Sequence, residues 1–243
     1  MGKASRTKRE RRDNDREATI AAAVRGDARQ LPIFWIVVAA LVVGGIAALV
    51  LTAPNDRESA ATAAANAVPT FADVEVGGAE LPTWSGTGTD DAIGRQVPAL
   101  EGTTFNDTQA TWSNGDGIAR AYVVVAHWCP HCRDEVPRLV EWSKTNDLPD
   151  GVEIVTVSTA VDDNQPNFPP AAWLAEERWT HDVLIDDEVG SAAKALGVEG
   201  FPYRVFVDRH GVVKQRFSGE MPVAEFGDAM EKLALPPRHA AAG

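Results

Sequence analysis

The sequence predicts an α/β domain, a central mixed β-sheet flanked by helices, preceded by one N-terminal transmembrane helix. Three observations predict it. An uncharged run, Leu31–Thr52, lies near the start. From about residue 93, β-branched runs alternate with helical segments, as parallel crossovers require. Near the end, two apolar runs flank the turn signal Asp208-Arg209-His210-Gly211, which adds an antiparallel hairpin.

The run LPIFWIVVAALVVGGIAALVLT, residues 31–52, would span roughly 33 Å as a helix, which matches a hydrocarbon core of about 30 Å. Residues 1–30 carry nine Lys/Arg against five Asp/Glu, and residues 31–243 carry fourteen against thirty. The positive-inside bias therefore puts a basic tail, 1–30, in the cytoplasm and the acidic bulk outside. A cleaved signal peptide processed at Ala61-Thr62-Ala63 is the competing reading, but its apolar core is ordinarily only about 7–15 residues long. Residues 53–92, rich in Ala and Gly, read as a flexible extracytoplasmic linker with an end-to-end distance of roughly 35 Å; the sequence leaves open whether Phe71-Ala72-Asp73-Val74 packs. The folded domain is assigned to 93–236 and a disordered tail to 237–243. The formal charge of −12 argues against nucleic acid, whose phosphates need a surplus of Lys and Arg.

Within the domain, Ala121–Ala126 reads as a strand and Pro130 to about Thr145 as a helix. Val152–Val157 is a second strand. Val161–Pro170 holds three prolines and breaks structure. A helix over Ala171–Trp179, a strand over His181–Ile185 and a helix over Glu188–Leu196 follow, the last stopped by Gly197. Tyr203–Val207 and Val212–Phe217 form the hairpin, and a final helix runs from Val223 to Leu235 before Pro236-Pro237. Val136, Leu139 and Trp142 recur at helical spacing and are expected to face the core. His181, His210 and His239 are isolated and read as solvated.

The chain has two cysteines, Cys129 and Cys132, too few for a disulfide scaffold or a four-cysteine zinc site. They lie in Ala126-His127-Trp128-Cys129-Pro130-His131-Cys132, after a strand and at the start of a helix. Residues three apart on a helix are neighbours. Cys129 falls at the helix N-terminus, where unpaired N–H groups and the macrodipole favour an anion, so its thiol is expected to ionise readily and attack. Cys132, one turn inside, can attack the resulting mixed disulfide and release the partner. Pro130 suits the first helical turn. His131 adds a cationic charge beside the thiolate and leans the pair toward donating disulfides. A metal site of Cys129, Cys132, His127 and His131 competes, although four ligands within six residues close a tetrahedron awkwardly; copper stays open. A structural disulfide would constrain little chain. No bound cofactor is needed, because the cysteine pair is the redox centre.

Trp128-Cys129-Pro130-His131-Cys132-Arg133-Asp134-Glu135-Val136-Pro137 resembles the W-C-x-x-C-x-x-E-x-P signature of TlpA/ResA-type membrane-anchored thiol-disulfide oxidoreductases. Gly200-Phe201-Pro202 resembles their cis-proline loop, Phe206–Gly211 the hairpin after it, and Ile93-Gly94 through Pro98 the start of their domain. The dipeptide Pro130-His131 is instead similar to that of DsbA-type oxidants. The resemblance implies a thioredoxin-like fold on a bacterial cell membrane. It also implies a redox-active disulfide Cys129–Cys132, protein thiol and disulfide substrates, and a redox partner that the sequence does not name. Pro202 would lie opposite Cys129 in cis geometry, leaving a backbone edge for a client peptide. Glu135 either assists proton transfer at Cys132 or is a solvated helix charge. Trp128 either shields the sulfurs or simply packs. Two positions depart from the pattern. Val123 stands where thioredoxin- and DsbA-type chains place a buried acid, and Phe201 stands where Thr or Val is usual. Direction of electron flow is therefore left open. Two other classes of function remain, a copper chaperone and a non-catalytic binding module.

Overall fold

The computed structural model describes residue 65 and residues 67–234. The span 31–52, the tails 1–30 and 237–243 and the proposed processing site lie outside the described residues. Among the described residues no helix is long and apolar enough to cross a membrane. In chain order the elements are β1 (Val74–Gly77), β2 (Ala99–Thr103), β3 (Gln109–Trp112), β4 (Ala119–Val125), α1 (Pro130–Thr145), β5 (Val152–Ser158), α2 (Pro170–Glu176), β6 (Asp182–Ile185), α3 (Ser191–Ala195), β7 (Tyr203–Val207), β8 (Val213–Ser218) and α4 (Val223–Ala234).

Strand β4 is buried along its whole length. Its sequence ARAYVVV is β-branched at three of seven positions, which suits a central strand packed on both faces. It pairs parallel with β5 and antiparallel with β7 in the five-stranded order β6-β5-β4-β7-β8. Alternation then sorts the side chains into two layers. Ala119, Ala121, Val123 and Val125 pack with Cys132, Val136 and Leu139 of α1 and with Phe226, Ala229, Met230 and Leu233 of α4. Tyr122 and Val124 pack on the other face with Ala192, Ala193 and Ala195 of α3 and with Leu100 and Trp112 of β2 and β3. The α4 residues recur at i, i+3, i+4 and i+7, the stripe a helix needs to bury one side. Trp142 is half-buried, its ring edge-on to Phe226 at 5.2 Å.

Helix ends differ from the sequence reading for local reasons. The helix expected over 171–179 stops at Glu176. Arg178 takes φ +62°, and the amides of Arg178 and Trp179 turn back to Ala175 O and Leu174 O at 3.0 and 2.9 Å, closing a Schellman motif on a non-glycine residue. The helix expected from 188 begins at Ser191 because Asp186 and Asp187 first bind the loop amides. Asp187 Oδ1 accepts from Val189 and Ser191, and Asp186 from Ala192 and Ala193. Gly197 does end that helix, with φ +73°, and a Cβ there would lie 2.4 Å from Pro82 O.

The larger correction concerns the linker. Residues 74–77 form a strand, and β1-β2-β3 make a separate antiparallel sheet. Leu81 and Ala92 are buried, and Trp84 bridges to Val198. The stretch from Val74 is thus part of the folded body rather than a tether. One buried cation fastens it. Arg216 of β8 is 3% exposed. It donates Nε to Asp90 Oδ2 at 2.9 Å, Nη1 to Pro82 O at 2.8 Å and Nη2 to Asp90 Oδ1, and lies over the rings of Trp84 and Tyr203. Burial raises the Asp90 carboxyl, but the hydrogen bonds and charge of Arg216 outweigh it and hold the group below its ordinary value.

Removing one member of a buried ion pair strands the other, at a cost of about 3 kcal/mol or more. Asp90→Asn is therefore expected to lower unfolding stability by about that amount in urea titration. Because the folded-state value of Asp90 is depressed, this contribution is present above about pH 4 and disappears as pH falls through the folded-state value. An unchanged denaturation midpoint at pH 7 would show that Asp90 does not hold the segment.

Candidate active site

At its C-terminal end β4 turns into α1. Cys129 is the N-cap, with φ −67° and ψ 120°, and Pro130 occupies the first helical position. No side chain caps this terminus, and the first turn carries no carboxylate. Nothing of negative charge in that turn competes with a thiolate for the helix dipole. Cys129 Sγ donates to the carbonyl of Phe201 at 3.5 Å. The Phe201–Pro202 peptide is cis, so the loop expected opposite the sulfur is there. Trp128 stands edge-on to Phe201 with ring centroids 6.1 Å apart, and its Nε1 donates to Ala160 O at 2.6 Å. Its ring packs against Phe201, whose carbonyl the sulfur meets, and it remains half-exposed. Pro202 is buried.

The two sulfurs differ in environment. Cys129 is 5% exposed and Cys132 0%, and both are free. Burial pushes the Cys132 thiol well above its ordinary range, offset in part by the Ala126 backbone and by the positive charge of Arg204.

Glu135 is 1% exposed, which removes the solvated alternative. Its Oε1 accepts from the Met221 amide at 2.8 Å, and its Oε2 is ion-paired with Arg204 Nη2. Arg204 is itself fully buried and donates Nη1 to Gly219 O at 3.0 Å. Burial pulls its guanidinium down to about 10, which leaves it charged at neutral pH. In the β4–β7 register Arg204 lies opposite Val123. Beside Val123, where the sequence departs from the pattern of a buried acid on β4, this chain places a cation on the neighbouring strand and its carboxylate on α1.

His131 is exposed and bonded through Nδ1 to Glu220 Oε1 at 2.6 Å, while Arg138 Nη2 donates to Glu220 Oε2 at 2.5 Å. Hydrogen bonds from Arg138 first, and then His131, hold the Glu220 carboxyl below its ordinary value. The cationic help expected of His131 is therefore shared with an acid. His127 is buried, and both ring nitrogens are engaged by backbone. Nδ1 lies 2.8 Å from Pro166 O, and Nε2 accepts from the Asp162 amide at 3.2 Å. That pattern assigns the neutral Nδ1–H tautomer. Asn167 Nδ2 completes the clamp on His127 O at 3.0 Å. His127 thus ties down the irregular 161–170 stretch and has no lone pair free for a metal. Among the described residues no group of three or more His, Cys, Asp or Glu is placed to hold one. His181, expected to be solvated, is half-buried, bonded to Ser143 Oγ at 3.2 Å and edge-on to Trp179.

Comparison with known proteins agrees with this geometry. The redoxin family's sequence profile matches residues 92–233, more than half of the chain. The chain belongs to the redoxin family. It is 31% identical over 128 residues to the thiol:disulfide interchange protein DsbE of Pseudomonas fluorescens biotype C, covering 52% of this chain and 67% of that one. To the Haemophilus influenzae DsbE it is 31% identical over 133 residues, covering 53% and 67%. A thioredoxin-family thiol:disulfide interchange protein from Chlorobium tepidum superposes with a TM-score of 0.50 at 21% identity, covering 59% of this chain and 99% of that one. That likeness shows a thioredoxin-like fold. This redoxin is a thiol-disulfide oxidoreductase.

Arg204, Glu220 and the clamping role of His127 were not apparent in the sequence. A signal existed for the first. In Phe201-Pro202-Tyr203-Arg204-Val205-Phe206-Val207, Arg204 shares parity with Phe206, so a charge sits on the face that Phe206 buries.

Burial depresses the His127 ring below its ordinary value. A histidine that resists protonation when folded contributes fully above about pH 6.5, and the contribution is lost as pH falls through the folded-state value. His181, depressed by the same cause, adds to the effect. Denaturant midpoints are therefore expected to drop between pH 7.5 and pH 5, with His127→Asn showing a shallower drop. An equal drop in both proteins would mean that His127 is not a source of the pH dependence.

Proposed function

We propose that this redoxin is a membrane-anchored, extracytoplasmic TlpA/ResA-type enzyme that exchanges dithiols and disulfides with protein clients. Cys129 is its nucleophile and Cys132 its resolving thiol. One observation carries the division of roles. Cys129 Sγ lies at the rim of the fold against the Phe201 carbonyl, while Cys132 is sealed beneath it, beside a buried ion pair.

With the pair reduced, the Cys129 thiolate attacks one sulfur of a client disulfide. A Cys129–client bond forms, the client S–S bond breaks, and the other client sulfur leaves with the electron pair. Cys132 then gives up its proton and attacks Cys129 Sγ, releasing the second client sulfur as a thiolate and leaving Cys129–Cys132 oxidised. The client is reduced by two electrons; in the opposite direction the same steps oxidise it. An extended client strand fits beside Phe201 and Pro202, where the backbone edge next to the sulfur is available for pairing. The uncharged stretch 31–52 behind a basic tail supports the anchor and orientation, and the 31% identity to DsbE proteins over the domain supports the thiol chemistry.

Cys129→Ser is expected to abolish exchange with a disulfide-containing protein, and Cys132→Ser to accumulate mixed disulfides visible on non-reducing gels. Full activity in Cys129→Ser would overturn the assignment. The reduction potential of the pair decides direction. A value near −120 mV aligns it with DsbA and disulfide donation, and one near −270 mV with thioredoxin and reduction. In intact cells of a strain expressing the full chain, a membrane-impermeant maleimide is expected to label Cys129. Labelling only after lysis would place the domain on the other side.

A further inference from the structure

We propose that Arg204 is the counter-charge for the Cys132 thiolate in the resolving step, sharing one positive charge between that sulfur and Glu135. The proposal rests on the reading of Cys132 as the resolving thiol.

The placement follows from the sheet. Tyr203, Val205 and Val207 of β7 pack in the layer with α3, whereas Phe206 packs in the layer with α1 and α4. Arg204 has the parity of Phe206, and it is paired with Val123, whose side chain lies in the same layer as Cys132. Its guanidinium therefore enters the dry space under α1, where it meets Glu135, one helical turn beyond Cys132. Nη1 is spent on Gly219 O and Nη2 on Glu135, but Nε, buried, has no hydrogen-bond partner among the described residues. The electrostatic coupling runs both ways. The Arg204 charge eases ionisation of Cys132, and the Cys132 charge steadies Arg204.

The chemistry explains why a cation is needed there. In the mixed disulfide, Cys132 must become an anion in a site that burial makes hostile to one. If its proton passes to the Glu135 carboxylate, the negative charge moves from oxygen to sulfur while Arg204 stays in place. The cluster carries one cation and one anion before and after, so no unpaired charge forms in the low-dielectric layer. The thiolate then attacks Cys129 Sγ, the bond to the client sulfur breaks, and the electron pair leaves with the client. Glu135 afterwards returns its proton to solvent or to the departing thiolate, and the pair with Arg204 is restored.

The test uses the reduced full-length chain and the aromatic disulfide 5,5′-dithiobis(2-nitrobenzoate) in stopped flow. Attack by Cys129 releases the first thionitrobenzoate, and collapse of the mixed disulfide by Cys132 releases the second. Arg204→Met is expected to leave the first phase unchanged and slow the second about tenfold or more, while Arg204→Lys, which keeps the charge, stays within about threefold of wild type. Should Arg204→Met strand Glu135 and fail to fold, the comparison moves to Glu135→Gln against Glu135→Gln/Arg204→Met. Loss of the cation from that background is expected to slow the second phase further. An unchanged second phase in either comparison overturns the proposal, because Arg204 would then only anchor Glu135. Release of both equivalents by Cys132→Ser would instead remove the underlying reading of Cys132, so the two failures are distinguishable.

Discussion

The antiparallel pairing of β4 with β7 is the constraint on which the rest of the site depends. In an antiparallel pair the end of one strand lies beside the start of the other. The chain leaves β4 into Cys129 and the N-terminus of α1, and it enters β7 through Phe201 and Pro202. The pairing therefore delivers the sulfur and the Phe201 carbonyl to the same edge of the sheet, 3.5 Å apart. The same register sets Val123 against Arg204, and so fixes which charge lies beneath the second cysteine. A slip of one residue would turn Arg204 into the α3 layer and Tyr203 into the α1 layer. The continuous apolar run in β4, buried on both faces, is what makes that register costly to lose.

Two buried arginines show how differently the fold uses such a charge. Arg216 is saturated by two carboxylate oxygens, two carbonyls and two aromatic faces. It joins β8 to the segment that runs in front of the domain, and its role is architectural. Arg204 is less completely satisfied, with Nε left over, and it sits in an otherwise apolar layer of Val123, Val125, Phe206 and Phe226. A well-packed apolar pair of similar volume would serve stability there as well or better. Charge has been kept where it is expensive and where, in the mechanism proposed above, the second sulfur ionises, which is the pattern expected of a site shaped by chemistry rather than by folding alone.

What the sequence made legible follows from how locally each feature is encoded. Strands β4, β5 and β7 and helix α1 could be read because β-branched runs, Pro130 and the 3.6-residue apolar stripe are contiguous signals. The Cys129-Pro130-His131-Cys132 segment carried its own meaning for the same reason. Strands β1 to β3 were missed. VEVG, ALEGT and QATW are four or five residues long and interrupted by glycine and polar side chains. Their order comes from packing Leu100 and Trp112 under the main sheet and from the Arg216–Asp90 bond, whose partners are 126 residues apart. Glu135 was ambiguous because a carboxylate on a helix is ordinarily solvated. Only the fold brings Arg204 to it, across 69 positions of chain. His131 looked like a free cation because Glu220 is distant in sequence.

Near each cysteine, then, lies a basic side chain paired with a carboxylate, His131 with Glu220 and Arg204 with Glu135. Two residues after Cys129, His131 bonds to Glu220, which also accepts from Arg138, in water, where ions screen the network and its geometry is loosely enforced. Beneath Cys132, Arg204 is held by Glu135 in a layer that excludes solvent, where screening does not reach. The attack on a client and the collapse of the mixed disulfide are accordingly governed by different surroundings. The first answers to the solution and to the client's own surface. In the mechanism proposed above, the second answers to Arg204, placed by the register of β4 and β7, and to Glu135, placed by α1.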